Sequence, residues 1–581
     1  MRPSSTDTAV TPPAERTRRP RAWMVGLVLL AAVLPYLNSL TASFAFDDVF
    51  IVRDNPAIQL QPAADLLLYV YPEGALYRPL TMLTYAANAA LSPEPFGFHL
   101  VNVALHALVS LAVLLLALDL LGAPIAALGA ALLFAVHPVH SEAVTNVVGR
   151  AELLAALGVL TALLAFAQAR RSPRRRWLWR ALSLAAFAAG MLAKESAITG
   201  LGLLAVLDWR LTPGARWRQR LLALSPYAVV AFAYLALRVG VVGSLALPQA
   251  PQGLDNPLAA VDAATRLRTA VIVMWRYLSL LVAPLHLSAD YSFNQIPLAG
   301  DWSDARFLAG LAVLGSLTAA VLLLARRLPR LAVAALFAVV PLALTANVLF
   351  PIGTIMGERL LYLPSVGWCL ACGLGLAAAM AHRPQVAACA AALLLLAFAA
   401  RTWLRNGDWQ DEPTLFAATV LDAPDSAKAH FNAAIALRAA QHLDEAMAQY
   451  RRAVDIYPAY ANAALGIGSV YALRDIDAGA ISWYERTLSL APDFANAHLQ
   501  LGLVRLRRGE LDSADAAFTT GLQSEPNNLM LLVSMSSLRL AQGDPWRAAE
   551  ELARLDRVGT MDNAERERVA MARDAIEVAL R

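Results

Sequence analysis

Cysteine is nearly absent. The chain has three in 581 residues, Cys369, Cys372 and Cys389, all within apolar stretches. Cys369 and Cys372 form a C-x-x-C, but no second ligand pair lies nearby. A helix would place both in hydrocarbon, so ordinary packing is read there and not a metal or redox centre. Charge is also sparse, at 16% of residues. The net +4 is gathered in patches beside apolar runs, which excludes nucleic acid as a partner and points to membrane orientation. What replaces charge is apolar: 58% of residues are hydrophobic and mean hydropathy is +0.52. A water-soluble domain of this length needs far less, so a polytopic membrane protein is expected.

The N-terminus "ERTRRPRAWMVGLVLLAAVLPYLNSL" has the basic flank and apolar core of a signal peptide, but no A-x-A-like site follows. It reads as an uncleaved first span behind a cytoplasmic basic segment, residues 1–21. Apolar runs long enough to cross a bilayer follow near 98–119, 123–140, 151–169, 177–193, 196–209, 220–239, 305–324, 331–350, 360–380 and 384–402. The run 196–209 is short and is placed by its neighbours. The basic clusters "ARRSPRRRWLWR", "DWRLTPGARWRQR" and "ARRLPR" all fall on the cytoplasmic side only if the run 268–287 does not cross. Its Arg266, Arg268 and Arg276 suit a segment that dips into the membrane or lies along it. Eleven crossings then place the C-terminus outside.

Hydrophobicity stops near residue 403. A linker is expected over 404–423, and from there the sequence repeats. Pro424, Pro458, Pro492 and Pro526 are 34 apart, as are Ala446, Ala480, Ala514 and Ala548. Tyr450, Tyr484 and Phe518 keep the interval, and Gly468 and Gly502 fall where two helices must approach closely. This is the tetratricopeptide period. Three good repeats and a degraded fourth fit about 424–560, with a final capping helix towards 581. Such an array presents a peptide-binding face.

The same tally puts six polar clusters on the outer face: "FAFDDVFIVRDN", "LYRPLTMLTYAANAAL", "HPVHSEAVTNVVGRAE", "LAKESA", "HLSADYSFNQIP" and "IMGERLLYLPS". They set charges directly against apolar spans, where an unpaired charge costs several kcal/mol. The inventory is two carboxylates, Asp47 and Asp48, the cations Arg78, Arg150, Lys194 and Arg359, and the imidazoles His137 and His140. Cations at a membrane surface can hold a departing phosphate while a carboxylate takes a proton from an attacking hydroxyl. Adjacent Asp residues cannot both point one way on a strand, so one would face the acceptor and the other give support. Each piece also has a plain structural reading: a turn or capping pair for Asp47–Asp48, a span-end cap for His137 and His140, an interfacial anchor for Lys194–Glu195. No metal ligand set is read.

These blocks, with "FHLVNVALH" and "NGDWQDEPTLF", resemble in order the signatures of the transmembrane-and-tetratricopeptide O-mannosyltransferases, from about residue 35 onward. The resemblance implies an all-α GT-C glycosyltransferase bundle, residues 22–403, with a first outer loop at 41–97, a central family domain near 250–330 and the repeats after it. It implies an inverting transfer of a hexose, mannose in animals, from a polyprenyl-phosphate donor to Ser or Thr hydroxyls of an exported protein, without a cofactor. Asp47 or Asp48 would be the base. His140, Glu142, Arg150, Lys194, Glu195, Glu358 and Arg359 would line the donor site, joined by Arg78, His137, Asp290 and Tyr291. The Ala/Arg/Leu-rich composition suggests a bacterial inner membrane, with the repeats outside the cytoplasm. A membrane scaffold whose repeats recruit envelope proteins, and an enzyme of this fold glycosylating lipid or glycan, are the competing readings.

Overall fold

The computed structural model describes residues 20–60, 64–71, 76–243, 253–557 and 563–581. Most of the basic N-terminal segment, part of the expected first outer loop and the start of the central domain lie outside them. Two compact units appear, Met1–Ala423 and Pro424–Arg581. Among the described residues secondary structure is helical, apart from one isolated bridge, Tyr71 to Leu76.

Runs of Ala, Leu and Val carry the first unit because a helix satisfies every backbone group internally, as hydrocarbon requires. Proline marks the helix starts, where its missing N–H costs nothing: Pro95–Leu121, Pro124–Val136, Pro329–Thr345 and Pro384–Asp408. Gly122, at φ 65°, ends the first of these in the left-handed conformation and Pro124 restarts the chain almost at once. By length and composition, seven helices among the described residues could cross a membrane. The bent pair Pro124–Val136 and Pro138–Val144 makes an eighth. Three more, Arg176–Ala193, Gly200–Leu211 and Pro329–Thr345, fall outside that standard but run the same course between the two ends of the bundle.

Ion pairs define those ends. At one, Asp119 pairs with Arg171, and Asp208 with Arg170 and Arg220. At the other, Arg78 meets Glu195, Lys194 meets Glu152, and Arg359 meets Glu142. The helix Arg150–Arg171 carries a member of each set, so it runs from one end to the other. Gly200–Leu211 does the same in only 12 residues, joining the Glu195 turn to the Asp208 cluster. Arg150–Arg171 and Arg176–Ala193 pack closely because Gly158 faces Gly190: a Cβ on Gly158 would lie 2.7 Å from the Gly190 backbone.

The segment expected to dip is the helix Ala263–Val282, and both of its flanks are tied to the Glu142–Arg359 end. Before it, Asn256 donates to Asn347 at 2.9 Å and to the Ile352 carbonyl at 2.7 Å. In its last turn, His137 bonds the Leu281 carbonyl at 3.1 Å, and after it the Ser288 amide donates to Glu358 at 2.6 Å. It leaves and returns at one end.

The expected linker at 404–423 is corrected. Pro384–Asp408 continues into it and Glu412–Asp422 fills most of the rest, both inside the first unit. Arg405, Asn406 and Trp409 are buried, and Asn406 accepts from Thr145 at 2.8 Å and donates to the Pro35 carbonyl at 2.8 Å. A polar stretch reads as a linker in sequence; here Asn406 satisfies buried partners from distant helices.

The second unit is four helix pairs, from Ala427–Ala439 with Leu443–Ile456 to Leu529–Ala541 with Pro545–Ala553, and a last helix Asn563–Leu580. Tyr484 and Phe518 are fully buried over Gly468 and Gly502, where an added Cβ would strike the ring. The period therefore reflects a repeated packing element. In the first unit, Asp208→Asn strands two arginines and is expected to cost about 3 kcal/mol, read as a lowered unfolding midpoint of the detergent-solubilised chain.

Candidate functional site

Four loops meet at one end of the first unit. Arg78, the residue before Pro79–Leu91, donates to both Glu195 oxygens, at 3.1 and 2.8 Å. The Thr81 hydroxyl fixes that helix start to the Ala193 carbonyl at 2.9 Å. Lys194, next in chain, pairs with Glu152 on the first turn of Arg150–Arg171, both side chains about nine-tenths buried. Glu142 receives the Arg359 backbone amide at 2.8 Å and its Nη1 at 2.6 Å. Arg359 also feels Asp47, Glu152 and Arg78, and Lys194 feels Arg78, Glu195 and Arg359. Asp47, Arg78, Glu142, Glu152, Lys194, Glu195 and Arg359 thus form one charged pocket. Burial favours neutral Lys194, opposed by Glu152. Burial would raise the Glu195 carboxyl, but Arg78 and Lys194 outweigh it and hold it below the usual range.

The adjacent aspartates divide. Asp48 is 1% exposed and its two oxygens accept from the Val147 and Val148 amides at 3.0 and 2.8 Å. Burial pushes it up to about 8 against the pull of those amides. It is a brace that fixes the turn preceding Arg150. Asp47 is half-buried and takes no hydrogen bond or ion pair among the described residues. It is the pocket's uncommitted carboxylate.

Other expected site residues sit elsewhere. Arg150 is fully buried and spends its donors on Asn102 Oδ1 (2.9 Å), Asn88 Oδ1 (2.6 Å) and the carbonyls of Thr84 and Phe98, with Tyr85 and Phe98 rings against it. It ties three helices together and leaves little for a ligand. His137 caps the turn Pro138–His140 through the Val139 amide, and His140 shares a hydrogen bond with Ser365 at 2.9 Å among the rings of Phe134 and Tyr362. Both imidazoles are core. Asp290 accepts from the Ser292 hydroxyl at 2.7 Å, a local turn. Tyr291 donates to Glu358 at 2.7 Å, so Glu358 faces away from the pocket that its neighbour Arg359 enters. Burial pushes Glu358 up to about 8, with Arg405 opposing. Glu152 was not among the expected residues; its signal was a carboxylate two residues beyond Arg150 on the edge of an apolar run.

Lys194 has a further distinction. The chain holds 48 basic side chains, and only Lys194 and Lys428 among them are lysine. In so arginine-rich a chain, the site holds a compact point charge instead of a planar fork. Beside Arg78 lies a narrow apolar crevice between Ile51, Leu76 and Met82.

Such a bundle, apolar along its length with charge gathered at both ends and followed by tetratricopeptide repeats, defines an integral membrane protein with a polar pocket at one end. A family model described as "Protein O-mannosyl-transferase TMTC, DUF1736" matches residues 247–318. Protein O-mannosyl-transferase TMTC4 of Homo sapiens is 32% identical over 475 residues, 71% of this chain and 63% of its own. TMTC3 of Mus musculus is 29% identical over 90% of this chain and 63% of its own, and Tmtc3 of Drosophila melanogaster 31% identical over 76% and 56%. This chain is therefore a relative of the TMTC protein O-mannosyl-transferases and spans 63% of the length of the first of them. Among solved structures, the tetratricopeptide protein TTC0263 of Thermus thermophilus aligns over 29% of this chain and 91% of its own, at 23% identity and a TM-score of 0.26.

The division of the aspartates is testable by stability alone. Asp48→Ala orphans two amides and is expected to cost about 2 kcal/mol or more, whereas Asp47→Asn should stay within about 0.5 kcal/mol of the parent. Thermal unfolding of both variants in the same detergent reads the difference.

Proposed function

We propose that this chain is an inverting glycosyltransferase that moves a hexose, mannose by kinship, from a polyprenyl phosphate to a Ser or Thr hydroxyl of an exported protein. The observation that carries the reading is Asp47: an uncommitted carboxylate within electrostatic reach of Arg359, in a charged cluster that also holds Arg78 and Lys194. In the step, the hydroxyl oxygen bonds to the anomeric carbon as the carbon–oxygen bond to phosphate breaks. The hydroxyl proton passes to Asp47, and the electron pair leaves on the phosphate, whose charge Arg359, Arg78 and Lys194 stabilise. Glu142, Glu152 and Glu195 hold those cations in place, and the crevice by Arg78 suits the first part of an isoprenoid chain. Each of these three carboxylates already has its cation, so the reading needs no metal and transfer should persist in excess chelator.

Orientation follows from charge. The Arg170, Arg171 and Arg220 end faces the cytoplasm and the pocket opens on the far side, in a bacterium the periplasmic face of the inner membrane. The repeats would hold the protein acceptor. With the three native cysteines replaced by alanine, Ser482→Cys, at an exposed position of the second unit, should react with an impermeant thiol reagent in intact cells with a permeabilised outer membrane; labelling only after lysis reverses the orientation.

Membranes carrying Asp47→Asn should transfer hexose from polyprenyl phosphate to envelope proteins about 100-fold or more slowly. Lys194→Arg should lose at least about tenfold while the fold is kept. Undiminished transfer by the well-folded Asp47→Asn protein removes Asp47 as the base, and O-linked hexose found on lipid alone moves the acceptor class.

A further inference from the structure

Behind the charged pocket, in the region matched by the family model, lies a second cavity of about 250 Å³. Its polar wall is Arg276, Ser279, His286, Tyr291, Gln295 and Asp422, and Met356 is among its apolar residues. Arg276 and Ser279 come from the last turns of Ala263–Val282, and the others from the chain after it and from the end of Glu412–Asp422. Behind Tyr291 and Asp422 are a buried carboxylate and a buried guanidinium with open positions. Glu358 Oε2 has no hydrogen-bond partner, and neither do Arg405 Nε and Nη2. Arg405 is fully buried, 4.0 Å from Asp422 and 3.0 Å from Asp408.

We propose that this cavity is a binding site for a single hexose unit, separate from the charged pocket. Its volume falls below the roughly 300–1,000 Å³ of sites for larger ligands, so a lipid chain or a peptide stretch is too large. A phosphate would meet the Asp422 carboxylate on the wall. A sugar ring offers what the wall matches: neutral hydroxyls that donate to Asp422 and to Ser279, whose own proton goes to the Arg276 carbonyl, accept from the Arg276 side chain and do both with Gln295, and a C–H face for Met356. The Tyr291 hydroxyl, bonded to Glu358, puts the site one residue from Arg359. A sugar held there is beside the transfer pocket without occupying it. The choice of mannose as probe rests on the transfer reading; the cavity's chemistry does not.

The test uses the full chain in detergent and methyl α-mannoside, followed by ligand-observed saturation-transfer NMR. His286 is 87% exposed in its side chain, so His286→Ala should not disturb folding; Gln295→Ala is the companion variant. Each is expected to weaken binding at least tenfold, while Asp47→Asn binds as the parent does. A Ser/Thr peptide with one O-linked mannose, set against its bare form, identifies the source. Preference for the glycopeptide over methyl mannoside assigns an attached sugar, and equal binding a free one. The proposal falls if no saturation is seen, if both cavity variants bind undiminished, if Asp47→Asn abolishes binding, or if inorganic phosphate displaces the sugar. Transfer activity of Asp47→Asn is a separate readout, so the two readings fail independently.

Discussion

One buried carboxylate organises the charged end of the bundle. Glu142 takes both the backbone amide and the guanidinium of Arg359, a residue 217 positions away. It closes the loop after Pro124–Val136 onto the turn before Ser365–His382 and aims the remaining guanidinium nitrogens into the pocket. A charge at that depth is tolerated only when paired, so the pairing fixes position as well as energy. Lys194 with Glu152 and Arg78 with Glu195 repeat the device between other loops. The side chains that line the pocket are also those that hold the loops together.

The opposite end works by the same rule with the sign of the excess reversed. Asp119 and Asp208 each anchor arginines between helix ends, and the unpaired surplus is basic. Two sets of ion pairs, one per end, fix the course of Arg150–Arg171 and of Gly200–Leu211, which is too short to be recognised as a span by composition. Ala263–Val282 stands apart: among the described residues its flanks are bonded to the pocket end.

The architecture was legible because its signals are periodic or additive. Apolar runs, basic flanks and a 34-residue register survive without knowledge of contacts, and the convergence of the polar loops follows from counting. The roles of individual residues were not legible in the same way. Asp47 and Asp48 are chemically identical neighbours, and only the position of the Val147 and Val148 amides decides which is swallowed. Arg150 reads as a ligand until Asn88 and Asn102 arrive from two other helices to saturate it. His137 and His140 follow the capping and core reading that any span-end histidine invites. The polar stretch 404–423 looked like a spacer because its partners, Pro35 and Thr145, lie hundreds of residues upstream.

The pairing inside the pocket has a consequence for selectivity. Each cation there already has a carboxylate seated on it, so an arriving anion reaches only the donors left over and shares the charge with an occupant. A small free ion gains too little from that exchange to displace Glu142, Glu152 or Glu195. An anion tethered to a long apolar tail brings the energy of the tail's own burial to the contest. For the lipid-linked donor proposed above, discrimination against dissolved salt would follow from this resting arrangement.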